Sequence, residues 1–324
     1  EVVGGNQTQL NGILEVAGSS LDMVLANEFG ITCNGCGFFN TNRTTLTTGK
    51  PVFNADGSLK GFDVKRGLVT IGAGGLNPQD RLALGDTSRV DVIARAAALY
   101  GQMRASEANI ITGANVVDYN WSYDPSTGLA SGITPQAGTG AIPALAVDVS
   151  ALGGMYAGAI KLIATEAGVG VRLNGEMASS SSIALSSSGR LSLGAPAAGH
   201  VPKIKAKRKV RVRATGPILL EGSVVSELGD QVEIRSIASG LTVKGEVSGG
   251  AVTLESAGLA HIEAAVTAQS ALSITSQNDA IVIAAASEIL AGSVTSNSAT
   301  STQVDGIVST VANVSLTAET DLQI

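Results

Sequence analysis

Val232-Glu233-Ile234, Val252-Thr253-Leu254, Leu272-Ser273-Ile274 and Val314-Ser315-Leu316 are one phrase repeated at regular distances. Ile234, Leu254, Ile274, Val294 and Val314 mark the interval, in successive steps of 20 residues. Within each phrase apolar and polar residues alternate, which is the period of a strand with one buried face. Gly, Asn, Asp or Ser closes each burst, as turns require. A second set, Leu241-Thr242-Val243, residues near 262 and Ile281-Val282-Ile283, falls about half a step later. A chain that returns to one phase five times stacks coil on coil. The pattern predicts an all-β chain forming a right-handed parallel β-helix. The five residues would make one inward column, and the second bursts another wall. A leucine-rich repeat has a similar period but needs L-x-x-L-x-L and a fixed Asn or Cys site, which are absent. Antiparallel sandwiches also alternate, but nothing in them returns the same phase at one spacing.

Composition agrees. A chain of 324 residues exceeds the ~250–300 at which a single globular core stops growing, whereas a solenoid core lengthens along its axis. Glycine supplies 40 residues and aromatics only 3%, so small and β-branched side chains must fill thin layers. Charged residues are 15% and the net charge is -6, which argues against a nucleic-acid partner. No apolar run approaches the ~18 residues of a membrane span. Glu1-Val2-Val3-Gly4-Gly5 has neither the basic nor the apolar part of an export signal, so any such signal is expected outside this sequence.

Upstream of the repeats the text is less regular. Residues 43–49, 62–71, 90–99 and 108–112 read as strands. Residues 115–140 are rich in Asp, Pro, Ser, Thr and Gly and hold Trp121, the one tryptophan. They read as a loop or hairpin outside the coil stack, pinned by Trp121 or Tyr119. The organisation expected is a first domain over 1–190 and a repetitive shaft over 191–324.

Few residues offer chemistry. Cys33 and Cys36 form a C-x-x-C, while His200 and His261 lie far from them, too few donors for zinc. No helix follows the pair, as a thioredoxin-like site would require. A local disulfide of an exported chain, or two buried thiols, remains. Gly72-Ala73-Gly74-Gly75 precedes no helix and reads as a coil corner rather than a phosphate loop. Single carboxylates such as Asp86 and Asp91 form no assignable pair. A β-helical carbohydrate-active enzyme would need clustered Asp, Arg or Lys on one wall, and fold alone licenses no activity. Neither cofactor nor metal is expected. Lys203, Lys205, Lys207, Lys209, Arg211 and Arg213 alternate with other residues, which places all six on one face of a single strand. That face is either a solvated wall or a contact for anionic glycan, lipopolysaccharide or a transporter.

Long strings carry a resemblance. They are Leu10-Asn11-Gly12, Gly30-Ile31-Thr32-Cys33-Asn34-Gly35-Cys36-Gly37-Phe38, Thr45-Leu46-Thr47-Thr48-Gly49-Lys50-Pro51, Gly61-Phe62-Asp63-Val64 and Asp91-Val92-Ile93-Ala94-Arg95. Residues 146–156 and Thr165-Glu166-Ala167-Gly168-Val169-Gly170-Val171 extend them. This wording resembles the two-partner secretion domain of filamentous haemagglutinins, haemolysins and contact-dependent growth inhibition exoproteins. The resemblance implies export to the periplasm in an unfolded form. It further implies recognition by the periplasmic domains of a cognate outer-membrane β-barrel transporter, then folding and display at the surface of a Gram-negative cell. A target-cell receptor or glycan would be a further partner. The alternative is a β-helical carbohydrate-active enzyme or a purely structural, glycan-binding adhesin segment. Carried over by motif, Asn11, Gly12, Asn27, Gly30 and Ile31 are the transporter-recognition residues. Two departures stand out. The family's turn reads N-P-N-G-I, while here it is Asn27-Glu28-Phe29-Gly30-Ile31, a turn that is expected to survive without its proline. Glu1 is also expected to fall inside the domain, leaving the first coil uncapped.

Overall fold

The computed structural model describes residues 5–77, 89–194 and 200–324, and among them every regular element is a strand. The chain divides into two compact units, residues 1–171 and 172–324. Asp86 lies outside the described residues.

Residues 172–324 form a parallel β-helix with three walls. One wall stacks Leu191–Leu193, Ile218–Leu220, Leu241–Val243, Ala260–Ile262, Ile281–Ile283 and Ser301–Val304. The second stacks Ile183–Ser187, Val210–Ala214 and Val232–Ser236 on the C-terminal halves of Val247–Ser256, Val266–Ser276 and Glu288–Ser298. The third joins Glu176–Ser179, Lys203–Ala206 and Ser223–Ser226 to the N-terminal halves of the same long strands. The expected second set of bursts is therefore a wall, and a further wall accompanies it. Each burst follows a buried–intermediate–buried alternation, so one face points inward and the other to solvent. Each inward Val, Ile or Leu contributes about 1.5–3 kcal/mol by leaving water.

The inward column differs from the expected one at its far end. Ile234 faces Leu254, and Leu254 faces Ile274, all fully buried. Ile274 then faces Ser296, not Val294. Val294 and Val314 belong to the adjacent column, with Val232, Val252 and Leu272. The coil from Leu272 to Val294 has 22 residues rather than 20, and it includes a turn at 284–287 closed by the Ser287 N–H on the Ala284 carbonyl. A slip of two residues preserves which side chains point inward, so the apolar pattern does not reveal it. Val294 stays buried, whereas Val314, in the last coil and paired on one side only, is exposed.

Corners use small residues. Ser236, Ser256, Ser276 and Ser298 align in register at the end of one wall and are buried. The hydroxyls of Ser256 and Ser276 both donate to the Gly258 carbonyl, at 2.6 and 2.8 Å. At another corner a Cβ on Gly250 would stand 1.5 Å from the Gly229 carbonyl oxygen, so only glycine lets these coils approach.

Residues 1–171 also stack parallel coils. Thr8–Leu10, Ile31–Cys33, Leu68–Ile71, Ala96–Leu99 and Leu145–Val149 form one wall. Leu21–Ala26, Thr41–Thr47, Arg89–Ala94, Gln102–Thr112 and Gly154–Ala164 form another. A four-stranded antiparallel sheet stands off these coils, in the order Leu129–Pro135, Asn115–Asp124, Leu59–Val64, Lys50–Phe53. The expected hairpin is thus half of a larger sheet. Residues 62–71, expected as one strand, are two strands in two sheets, broken at 65–67, where Gly67 has φ +93°. Beneath the sheet Phe62, Val64, Val117 and Trp121 pack on Ile93, Ile111 and Ile163 of the coil wall. Both residues expected to pin it make contacts there: Trp121 is buried, and the Phe62 and Tyr119 rings meet edge to face at 6.3 Å.

Candidate recognition turn and its surroundings

Asn27 ends the strand Leu21–Ala26 and opens a turn. The Gly30 N–H donates to the Asn27 carbonyl at 3.0 Å, and the Phe29 N–H donates to Asn27 Oδ1 at 3.0 Å. The first bond closes a β-turn and the second an Asx turn inside it. Asn27 Nδ2 reaches the other way, donating to the Asn6 carbonyl and to Thr8 Oγ1 at 2.9 and 2.8 Å. The side chain is 2% exposed and ties the first coil to the second. Gly30 has φ +117°, and a Cβ there would sit 2.9 Å from the Leu68 carbonyl oxygen. Ile31 is fully buried between Thr8 and Val69 on the wall.

Asn11 and Gly12 lie at the other end of Thr8–Leu10. Asn11 is exposed. Their corner rests on the next one, where the Asn34 N–H donates to the Leu10 carbonyl at 2.8 Å. A disulfide joins Cys33 to Cys36 across that corner, with Cα atoms 5.3 Å apart and both residues fully buried. The glycine cluster forms the corner below it: Gly72 N–H donates to the Cys33 carbonyl and Gly74 N–H to Asn34 Oδ1. Residues 11–12, 34–35 and 72–75 are therefore successive corners of one edge. Thr8–Leu10 is the link between the Asn27 turn and this edge.

The positions where the turn departs from N-P-N-G-I carry contacts of their own. Arg66, in the break between two sheets, places its guanidinium 3.1 Å from Glu28 Oε2 and 4.5 Å over the Phe29 ring. Lys50 stands 3.8 Å from the same Glu28 oxygen. Glu28, Lys50, Arg66, Asp63, Lys65 and Thr139 line a cleft beside the turn. The Asp63 carboxyl is partly buried, which opposes ionisation. Hydrogen bonds from Gln136 and Lys65 outweigh that and lower its pKa.

Two charge clusters unforeseen from the sequence hold this unit together. Asp91, fully buried, accepts from Arg43 Nε at 2.6 Å, Arg89 Nε at 2.9 Å and Asn109 Nδ2 at 2.7 Å. Arg43 continues to the Tyr119 carbonyl at 2.7 Å and lies 4.2 Å over the Tyr119 ring. Burial, then the hydrogen bond to Asp22, pushes the Tyr119 phenol up to about 12. Arg95 grips Glu166 with two hydrogen bonds at 3.1 and 2.8 Å and donates to the Thr139 carbonyl at 2.7 Å. Asp91, Arg95 and Glu166 all sit in the strings that carry the family resemblance.

The profile of the TPS secretion domain matches residues 1–193. The chain belongs to this family. The 16S rRNA endonuclease CdiA of Enterobacter cloacae is 43% identical over 193 residues, 60% of this chain and 5% of the relative. The tRNA nuclease CdiA of Escherichia coli strain STEC_O31 is 45% identical over the same length, with the same coverage. The tRNA nuclease CdiA of Yersinia mollaretii is 34% identical over 303 residues, 87% of this chain and 10% of the relative. The chain thus spans a tenth or less of the length of these relatives. A crystal structure of a filamentous hemagglutinin secretion domain is 30% identical, with a TM-score of 0.53 over 78% of this chain and 72% of that one. The TPS domain is the N-terminal secretion portion of exported proteins of this kind, carried across the outer membrane and displayed on the cell surface.

The basic segment, expected as one six-residue face, lies in the other unit and is two strands. Lys203 and Lys205 belong to Lys203–Ala206 on one wall, and Arg211 and Arg213 to Val210–Ala214 on the next. The corner at 207–209 breaks the alternation, leaving Lys207 exposed and Lys209 half-buried. Acidic residues of the following coil meet the run: Lys205–Glu227 at 2.7 Å, Arg211–Glu233 at 2.9 Å and Lys209–Glu233 at 3.9 Å. The Glu227 hydrogen bond raises the Lys205 pKa, while burial and then the Arg211 charge lower that of Lys209. Among the described residues no group of His, Cys, Asp and Glu is arranged to hold a metal, and no helix is long and apolar enough to cross a membrane.

Proposed function

We propose that the chain is the export and display module of a large exoprotein of the growth-inhibition or adhesin type. On this reading a cognate outer-membrane β-barrel transporter receives it through its periplasmic domains. The module itself catalyses nothing. The nuclease names of the relatives belong to proteins of which the match covers a tenth or less. The observation that carries the reading is the TPS match over residues 1–193. The secretion domain would end at about 190 and the remaining coils would begin a shaft. Asn11, Gly12, Asn27, Gly30 and Ile31 are the residues the transporter would read.

The test is export of the chain by a cognate outer-membrane transporter. Asn27 makes three side-chain hydrogen bonds in the folded domain, so Asn27→Ala changes stability as well as recognition. Exposed Asn11 separates the two. Asn11→Ala is expected to lower the amount of chain in the medium severalfold, with an unchanged melting temperature for the refolded protein. Normal export of Asn11→Ala and of a stability-matched Asn27 variant would remove these residues from the recognition site.

A further inference from the structure

Glu28 and Phe29 occupy the two central positions of the turn. In the N-P-N-G-I wording the first would be proline, whose ring fixes φ at a value suited to that position. Here nothing in the backbone does so, yet the turn forms with both of its hydrogen bonds. Among the described residues Arg66 is the side chain seen to engage both central residues, through charge at Glu28 and through the face of the ring at Phe29. The adjoining backbone presses on the same place: a Cβ on Gly67 would stand 2.7 Å from the Glu28 carbonyl oxygen. Residues 65–67 also connect Leu59–Val64 of the standing-off sheet to Leu68–Ile71 of the coil wall.

We propose that Arg66 is the positioning residue of the recognition turn. It holds Glu28 and Phe29 from outside, doing by contact what proline does by covalent geometry. Because Arg66 sits where the standing-off sheet joins the coils, the turn acquires its final shape only when that sheet has docked. The proposal rests on the reading of Asn27–Ile31 as the recognised element, but its first test does not.

Hydrogen exchange at the Phe29 and Gly30 amides, the two donors of the turn, reads the clamp directly in the purified chain. Loss of an exposed ion pair together with a cation–π contact predicts roughly tenfold faster exchange in Arg66→Ala. Arg66→Lys, which keeps the charge and loses the planar stack, should fall between. Glu28→Pro placed in the Arg66→Ala background should restore protection. The backbone permits this substitution, since among the described residues the Glu28 N–H donates to no backbone partner. A merely structural loss would not be rescued by that substitution. Unchanged exchange in Arg66→Ala, or no recovery with Glu28→Pro while the melting temperature stays at the parent value, overturns the proposal. Export by the cognate transporter is the second arm. Export that falls in Arg66→Ala and recovers with Glu28→Pro supports both readings. Faster exchange with normal export leaves Arg66 as the clamp and refutes the folded shape of the turn as what the transporter reads.

Discussion

In residues 172–324 an inward side chain meets another of its kind one coil away, as Val232, Val252, Leu272 and Val294 do. In residues 1–171 the decisive contacts are unlike and occur once. Asp91 collects Arg43, Arg89 and Asn109, and Arg95 finds Glu166 71 residues away. The first arrangement tolerates change at one coil, because its neighbours supply the same interaction again. The second does not, because each buried charge has one set of partners. Repetition makes a shaft that can be lengthened. Single-use contacts make a fold with one specific surface, which a recognition module requires.

The largest expected effect tests that contrast at its strongest point. Asp91→Ala leaves the Arg43 guanidinium buried without its carboxylate and should destabilise residues 1–171 by about 3–5 kcal/mol in urea unfolding. It should also free the Tyr119 hairpin, which Arg43 holds through its carbonyl and ring. Unfolding followed by Trp121 fluorescence reports this unit, since the only tryptophan lies there. A loss under ~1 kcal/mol would mean the buried cluster is dispensable and the contrast fails.

A smaller effect of opposite sign is expected in the repeats. Ser296 is fully buried between Ile274 and Leu316, and among the described residues its hydroxyl has no hydrogen-bond partner. Ser296→Val removes an unsatisfied hydroxyl and extends the apolar column. It should stabilise residues 172–324 by about 1 kcal/mol. Destabilisation would show that the hydroxyl has a partner such as water and that the slipped coil is specified by it.

The smallest effect concerns the basic segment. Replacing Lys205, Lys207 and Arg211 by Gln removes the partner of Glu227 and the nearer of the two partners of Glu233. It should lower the melting temperature by only a few degrees, since the exposed Lys205–Glu227 pair contributes about 0–1 kcal/mol and Gln keeps a hydrogen-bonding head group in place of the buried Arg211, with Lys209 still beside Glu233. The parent should elute from heparin at low salt, because the following coil already neutralises much of the run. Strong, salt-sensitive retention abolished by the triple substitution would instead establish an anion-binding face.

These residues also show where sequence is legible. Ile234, Leu254 and Ile274 could be placed in one column because stacking demands an apolar residue at each return. Asn27, Gly30 and Ile31 could be grouped because a turn compresses them into five positions. The slip that brings Ser296 under Ile274 was invisible, since an even shift keeps the alternation intact. The run from Lys203 to Arg213 concealed its corner for a similar reason: neither Gly nor Pro interrupts it, so the i, i+2 rhythm continues through a change of wall. Arg66 and Arg43 offered no local signal, and Asp91, though it opens a family string, gave no sign of its partners. Their partners are set by coil lengths and by the docking of a sheet, quantities that a single strand's pattern does not contain.

The Cys33–Cys36 bridge closes only three residues of separation. Were the chain to pass end-first through a narrow channel, the bridge would therefore act as a small bead on a thread. A bridge from this corner to the next, near Gly72, would instead knot some forty residues into a loop that must be hauled through doubled. A staple placed within one bend can be closed by an oxidising compartment before passage and still leave the polymer linear in outline. A staple of this span is compatible with such a passage.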